Sequence, residues 1–193
     1  MALKAVVFDV GETLIDETRL WERAADTAGV PRFTLMGVVG GLAARGEHHR
    51  RAWALLGVDQ PVATWGSDDF YPDALPCLAA LRQRGVRVGA VGNTLTDAEG
   101  LLREHVDLVG SSARWGVEKP APAFFERIVA ECGVDADEIA YVGDRVDNDI
   151  APALAAGMVA VHVRRGPWGH LHEPPSDVLA IDSLTELPEA LGV

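Results

Sequence analysis

A chain of 193 residues is long enough for one well-cored domain carrying an insert and too short for two full-sized ones. With 48% hydrophobic and 24% charged residues it has the make-up of a soluble globular protein. Its formal net charge of -12 disfavours nonspecific binding to nucleic acid or to an anionic membrane. No apolar run approaches the ~18 residues of a membrane span. The N-terminus leads into a strand pattern without the marks of a signal peptide, so a cytoplasmic protein is expected.

Taken in chain order, the first element is "KAVVFDV" (4–10), an uninterrupted apolar run of the kind that forms a buried parallel strand. Residues 16 to 70 follow, with helical stretches broken at Gly29-Val30-Pro31 and Gly57-Val58-Asp59 and no good strand. The basic run "HHRR" (48–51) reads as a solvated helix face. Trp21, Trp53 and Trp65 read either as exposed interface residues or as the core of this segment. Beyond it, strand patterns at 86–93, 106–112, 139–144, 158–163 and, more weakly, 178–182 alternate with helical patterns at Asp73–Arg84, Asp97–His105, Pro122–Cys132 and Asn148–Ala156. This alternation predicts an α/β fold: a three-layer, Rossmann-like parallel sheet. Residues 1–15 and 71–193 would form the core domain, and residues 16–70 a helical cap inserted after the first strand. Gly85 and Gly157 stand where left-handed helix caps are common. Cys77 and Cys132 lack metal-ligand spacing and read as core residues rather than a disulfide.

Polar groups stand at four strand ends: Asp9, then Gly92-Asn93-Thr94, then Lys119 in "GVEKPAPAFF", then Asp144 in "YVGDRVDNDI" with Asp147 and Asp149 behind it. In open α/β sheets ligands bind at the carboxyl ends of the strands. Taken singly, each of these residues has a plainer reading as turn, helix cap or surface. Gathered in one cleft, the carboxylates would repel one another, and they are tolerable only with a cation, most simply Mg²⁺ in an oxygen shell, beside a positive side chain such as Lys119. A divalent ion would shield an incoming phosphate from Asp9. The combination points to nucleophilic catalysis through an aspartyl-phosphate.

These motifs, in this order, resemble the haloacid dehalogenase superfamily. "FDVGETL" matches its first motif, "VGNT" sits at the second, "VEKPAPAFF" at the third and "VGDRVDNDIAPALAAGM" at the fourth, and residues 16–70 occupy the place of the family's first-type cap. The resemblance implies a Mg²⁺-dependent phosphatase of a small phosphorylated metabolite, monomeric or homodimeric, without nucleic-acid or membrane partners. It makes Asp9 nucleophile and metal ligand, with the Gly11 carbonyl and Asp144 as further ligands and Asp149 in or just outside the shell. Lys119 would hold the nucleophile and the transferring phosphoryl group. Gly11, Glu12, Thr13, Gly92, Asn93 and Thr94 fall at phosphate-binding positions.

Two departures stand out. The family's phosphatases carry an acid–base Asp where this chain has Gly11, a loss of about 10² to 10⁴ in rate if nothing replaces it. Gly92 replaces the hydroxyl residue of the second motif, a loss of about 1 to 3 kcal/mol. Candidate replacements are Glu12, which alternation along an extended chain would turn away, His48 or His49 from the insert, and Thr94 for the hydroxyl. Alternatively, a substrate with a good leaving group needs no acid. A slow phosphatase is therefore expected, with a catalytically degenerate binding protein as the competing reading. The branch that forms a Schiff base on a cap lysine is excluded, since the only lysines are Lys4 and Lys119. The intact "GDRVDND" opposes a dehalogenase. Arg164–Pro175, with Trp168 and two arginines, is a loop expected beside the cleft, either contacting substrate or packed on the cap.

Overall fold

The computed structural model describes residues 2–193. Its centre is a six-stranded, all-parallel sheet in the order β3-β2-β1-β4-β5-β6, with β1 at Ala5–Phe8, β2 at Arg87–Gly92, β3 at Leu108–Ser111, β4 at Ile139–Gly143, β5 at Val159–Val163 and β6 at Leu179–Ile181. Every strand expected from the apolar runs is present, including the weak sixth. Side chains alternate across a strand, so Val6 and Phe8 face one helical layer while Ala5 and Val7 face the other.

Between β1 and β2 the chain forms α1 (Thr18–Ala28), α2 (Arg32–Ala43), α3 (Arg51–Leu56) and then α4 (Ala74–Gln83). The later helices are α5 (Asp97–Leu102), α6 (Ser112–Trp115), α7 (Pro122–Cys132), α8 (Ala151–Ala155), α9 (Gly166–Leu171) and α10 (Leu187–Ala190). α4, α5 and α10 cover the Val6/Phe8 face, and α7 and α8 cover the Ala5/Val7 face. Both cysteines are free and buried in these layers, as expected.

Helices α1 to α3 do not join either layer. They bury Ala25, Leu35, Leu42 and Trp53 in a cluster of their own, which also takes in Trp168 from α9. Trp53 is buried, Trp21 stacks on it at 6.3 Å, and Trp65 packs against the main core. None of the three is exposed: Trp53 is core, and Trp21 and Trp65 are half-buried against these clusters. The chain enters and leaves this segment along one seam, where Asp16 N–H donates to the Asp69 carbonyl at 2.8 Å and Tyr71 N–H to that of Leu14 at 2.9 Å. Buried Asp69 also pairs with Arg23 of α1 at 3.2 Å, which ties the first helix to the seam.

Two elements differ from expectation. The helix anticipated from Asn148 begins instead as a π-helical turn, Val146–Ile150, before α8. Such turns favour functional sites; this one folds Asp149 back over β4, so that a Cβ at Gly143 would lie 2.5 Å from Asp149 Cγ. The stretch Arg164–Pro175 is not a loop throughout, because α9 forms within it around Pro167 and Trp168. Its arginines are paired within the protein. Arg165 is buried, donating to the Thr13 carbonyl at 2.7 Å and to Asp73, while half-buried Arg164 pairs with Asp182 at 3.3 Å. His172 Nε2–H donates to the Ala43 carbonyl at 2.6 Å, so the stretch does pack on the helical segment.

Close approach at Gly143 makes a specific demand. Gly143→Ala is expected to cost about 1–3 kcal/mol from overpacking, read as a lowered midpoint in urea denaturation at unchanged slope. An unchanged midpoint would mean that the π-helical turn has room to move.

Candidate active site

β1 carries Asp9 just beyond its carboxyl end, where the strand's ladder continues as Asp9 N–H donating to the Val142 carbonyl at 2.8 Å. β4 delivers Asp144 in the same way next door, and the π-helical turn returns Asp149 beneath both. One carboxylate oxygen from each of these three residues lies within 4.8 Å of the others. Lys119 arrives from the far side, on the segment between α6 and α7. Its position is set by Asn93, whose Nδ2 donates to the Lys119 carbonyl at 2.9 Å and whose Oδ1 accepts the Lys119 N–H at 2.7 Å. From there the buried ammonium reaches Asp9 Oδ1 at 2.6 Å and Asp149 Oδ1 at 2.5 Å.

The electrostatics follow from one cation among three carboxylates. Burial works against the Lys119 charge, but Asp149 and Asp9 outweigh it and hold its pKa well above the ordinary value. Burial, then Asp149 and Asp9, pushes the Asp144 carboxyl far up. Asp149 Oδ2 accepts the Arg145 N–H at 3.0 Å, so both Asp149 oxygens are engaged and this residue orients Lys119. Asp9 and Asp144 are left facing the cavity with a surplus of negative charge and oxygen donors only. That donor set suits a hard divalent cation such as Mg²⁺.

A cavity of about 510 Å³ opens above these groups, beneath the helical segment. Of the residues expected from sequence, Asp9, Gly11, Glu12, Asn93, Thr94, Lys119 and Asp144 line it, whereas Thr13, Gly92 and Asp149 lie behind. Thr13 is fully buried with an unpartnered hydroxyl; its carbonyl anchors Arg165, so it braces the loop rather than meeting a ligand. The Asn93 side chain is committed to the Lys119 backbone. Gly92 answers a packing need: a Cβ there would lie 2.9 Å from Asp9 Oδ1 and 3.2 Å from Val10 Cγ2.

Around Gly11 the chain turns sharply. Glu12 adopts a φ of 52°, the left-handed region that non-glycine residues rarely occupy. Its side chain turns to a corner of its own, where Tyr71 Oη–H donates to Oε2 at 2.5 Å and where a Cβ at Gly166 would lie 2.6 Å from Glu12 Cγ. The space next to Gly11 is filled by Glu17, which precedes α1. A Cβ at position 11 would lie 2.4 Å from Glu17 Oε1. Burial, followed by the negative charge of Glu12, pushes the Glu17 carboxyl up to about 8. Sequence reasoning passed over Glu17, whose place beside Gly11 depends on how the turn folds. The signal was the gap itself, which calls for a carboxyl from elsewhere.

The histidines of the insert line the same cavity. His49 sits edge-on to Trp21 at 5.5 Å and to Trp168 at 5.8 Å, and burial, with His48 and the neighbouring arginines, brings it down to about 3. Burial and Arg50 lower His48 too, and its Nδ1 accepts the Arg50 N–H at 3.1 Å. Both are neutral near pH 7, and His49 serves as a wedge between aromatic rings.

A parallel sheet with a carboxylate–lysine cluster at its strand ends, beneath a helical insert, defines a phosphatase-like hydrolase of the haloacid dehalogenase superfamily. The chain belongs to that family: the haloacid dehalogenase-like hydrolase model matches residues 3–157. It is 34% identical over 210 residues to a glyceraldehyde 3-phosphate phosphatase of Methanopyrus kandleri, covering 91% of this chain and 89% of that one. It is 35% identical over 103 residues to a phosphoserine phosphatase of Thermus thermophilus, covering 50% and 41%. Its fold matches a putative hydrolase of the family, YfnB from Bacillus subtilis bound to magnesium, with a TM-score of 0.72 at 17% identity over the whole of both chains.

The crowding of charge predicts the behaviour of Asp144→Asn. A raised folded-state pKa makes the ionised carboxylate costly at any pH above its unfolded value near 3.9, and an amide carries no such cost. The variant should melt higher than the metal-free parent, by about 2–4 °C for each kcal/mol recovered, and lose any stabilisation by added Mg²⁺. A lower melting point with Mg²⁺ stabilisation intact would contradict this account of the cluster.

Proposed function

We propose that the chain is a Mg²⁺-dependent phosphatase of small phosphate esters, working through a phosphoryl group carried on Asp9. The observation that carries this reading is the Asp9 carboxylate, ion-paired to buried Lys119 and opening on the cavity beside Asp144. Asp9 attacks phosphorus and expels the alcohol; water then attacks the acyl phosphate, releasing inorganic phosphate and restoring the carboxylate. Lys119 fixes the orientation of Asp9 and offers positive charge to the transferring group, whose loose transition state depends mainly on positioning and electrostatics. Asn93 supports this at one remove by holding the Lys119 backbone. Thr94, on the cavity wall, supplies the hydroxyl missing at Gly92. A bound Mg²⁺, held by the Asp9 and Asp144 carboxylates and the Gly11 carbonyl, would offset phosphate charge near the nucleophile.

Residues 16–70 act as the cap over this site, and the cavity of about 510 Å³ suits a small metabolite. The reading is supported by relatives named as phosphatases, although the substrates in their names differ and name no substrate for this chain. The competing idea of a degenerate binding protein rested on the two glycines. Gly92 makes room for the Asp9 carboxylate and Gly11 for that of Glu17, so neither has to be explained as decay.

Phosphate release from a panel of monoesters and acyl phosphates tests the proposal. Wild-type protein should turn over with Mg²⁺ and lose activity with a chelator, and Asp9→Asn protein prepared in parallel should fall to background. Equal release by both proteins would sink the reading.

A further inference from the structure

We propose that the Glu17 carboxyl performs the acid–base step for which position 11 has no side chain, on the phosphatase reading given above. A side chain built from Gly11 would run straight onto Glu17 Oε1, 2.4 Å from the Cβ position, so the two share one direction. Glu17 lines the same cavity as Asp9, Lys119 and Asp144. It is held there from two sides: Trp21 Nε1–H donates to its Oε2 at 3.2 Å, and its own N–H donates to Glu12 Oε1 at 3.2 Å. Among the described residues Oε1 makes no hydrogen bond, which leaves it for a ligand. The other candidates have partners elsewhere: Glu12 has Tyr71, His48 the Arg50 N–H and the His49 ring, and His49 its two indoles. The acid is thus carried by the residue that opens the helical segment rather than by the strand-end loop.

In the first half-reaction Asp9 oxygen bonds to phosphorus as the bond from phosphorus to the alcohol oxygen breaks. The Glu17 carboxyl gives its proton to that departing oxygen. In the second, Glu17 carboxylate takes a proton from water as the water oxygen bonds to phosphorus and the Asp9–phosphorus bond breaks. Inorganic phosphate leaves, and both carboxyl groups return to their starting states.

The test compares an alkyl phosphate, whose alkoxide needs a proton, with a nitrophenyl phosphate, whose phenolate leaves without one. Glu17→Gln should lower kcat on the alkyl ester by about 10² to 10⁴. On the nitrophenyl ester it should retain a rapid first release of nitrophenol, followed by slow turnover as water attack loses its base. Because a carboxyl in the same place should do the same work, Gly11→Asp introduced into Glu17→Ala should restore at least tenfold of the alkyl activity that Glu17→Ala loses. In Glu17→Gln, a first turnover slowed equally on both esters, or on neither, would overturn the role of Glu17 while leaving the phosphatase reading in place. So would failure of Gly11→Asp to rescue a Glu17→Ala protein of unchanged melting temperature. Wild-type protein inactive on both esters would overturn the reading itself, and this inference with it.

Discussion

The site is organised by the buried ammonium of Lys119, held between Asp9 and Asp149. A lone buried charge is strongly disfavoured, and so is a cluster of buried carboxylates; each makes the other tolerable. Removing either side would leave an uncompensated charge, the costly way of breaking a buried pair. Much of the surrounding structure serves this contact. The Asn93 amide fixes the lysine's backbone, the π-helical turn after β4 brings Asp149 underneath, and Gly143 gives that turn its room. Gly92 clears the space in which the Asp9 carboxylate stands.

One cation for three carboxylates leaves the cluster under-compensated on the cavity side. Asp149 is satisfied by Lys119 and by the Arg145 N–H, so the unmet demand falls on Asp9 and Asp144. A divalent ion with a preference for oxygen would meet it, which is why the same arrangement reads both as a metal site and as the place for a nucleophile. The helical segment completes the enclosure from above. It is braced from below by Trp168 in its core and by the His172 contact to Ala43.

The sheet was legible in the sequence because a parallel strand buried on both faces leaves a continuous apolar run, and all six runs became strands. The strand-end residues were legible as a set because four motifs in fixed order place them at one edge of the sheet. Less legible was anything set by contacts distant in sequence. For Arg165 the sequence left contact with a substrate and packing on the cap both open; it bonds the carbonyl of Thr13, 152 positions away. Asn93, expected on phosphate, spends its amide on Lys119. The turn at Val146–Ile150 has helical composition, and nothing local distinguishes its wider winding. Glycine and proline in "RGPWGH" read as loop, but Pro167 sits in the first turn of α9, where a missing N–H is harmless. Glu17 was hidden for a related reason: its place beside Gly11 depends on the left-handed turn at Glu12, a conformation that glutamate seldom signals.

The most direct measurement is mass spectrometry of protein quenched in acid during turnover of a phosphate ester. Covalent phosphate is expected on the peptide containing Asp9 and should be absent from Asp9→Asn protein. Turnover with no protein-bound phosphate, or with phosphate on another residue, would contradict it.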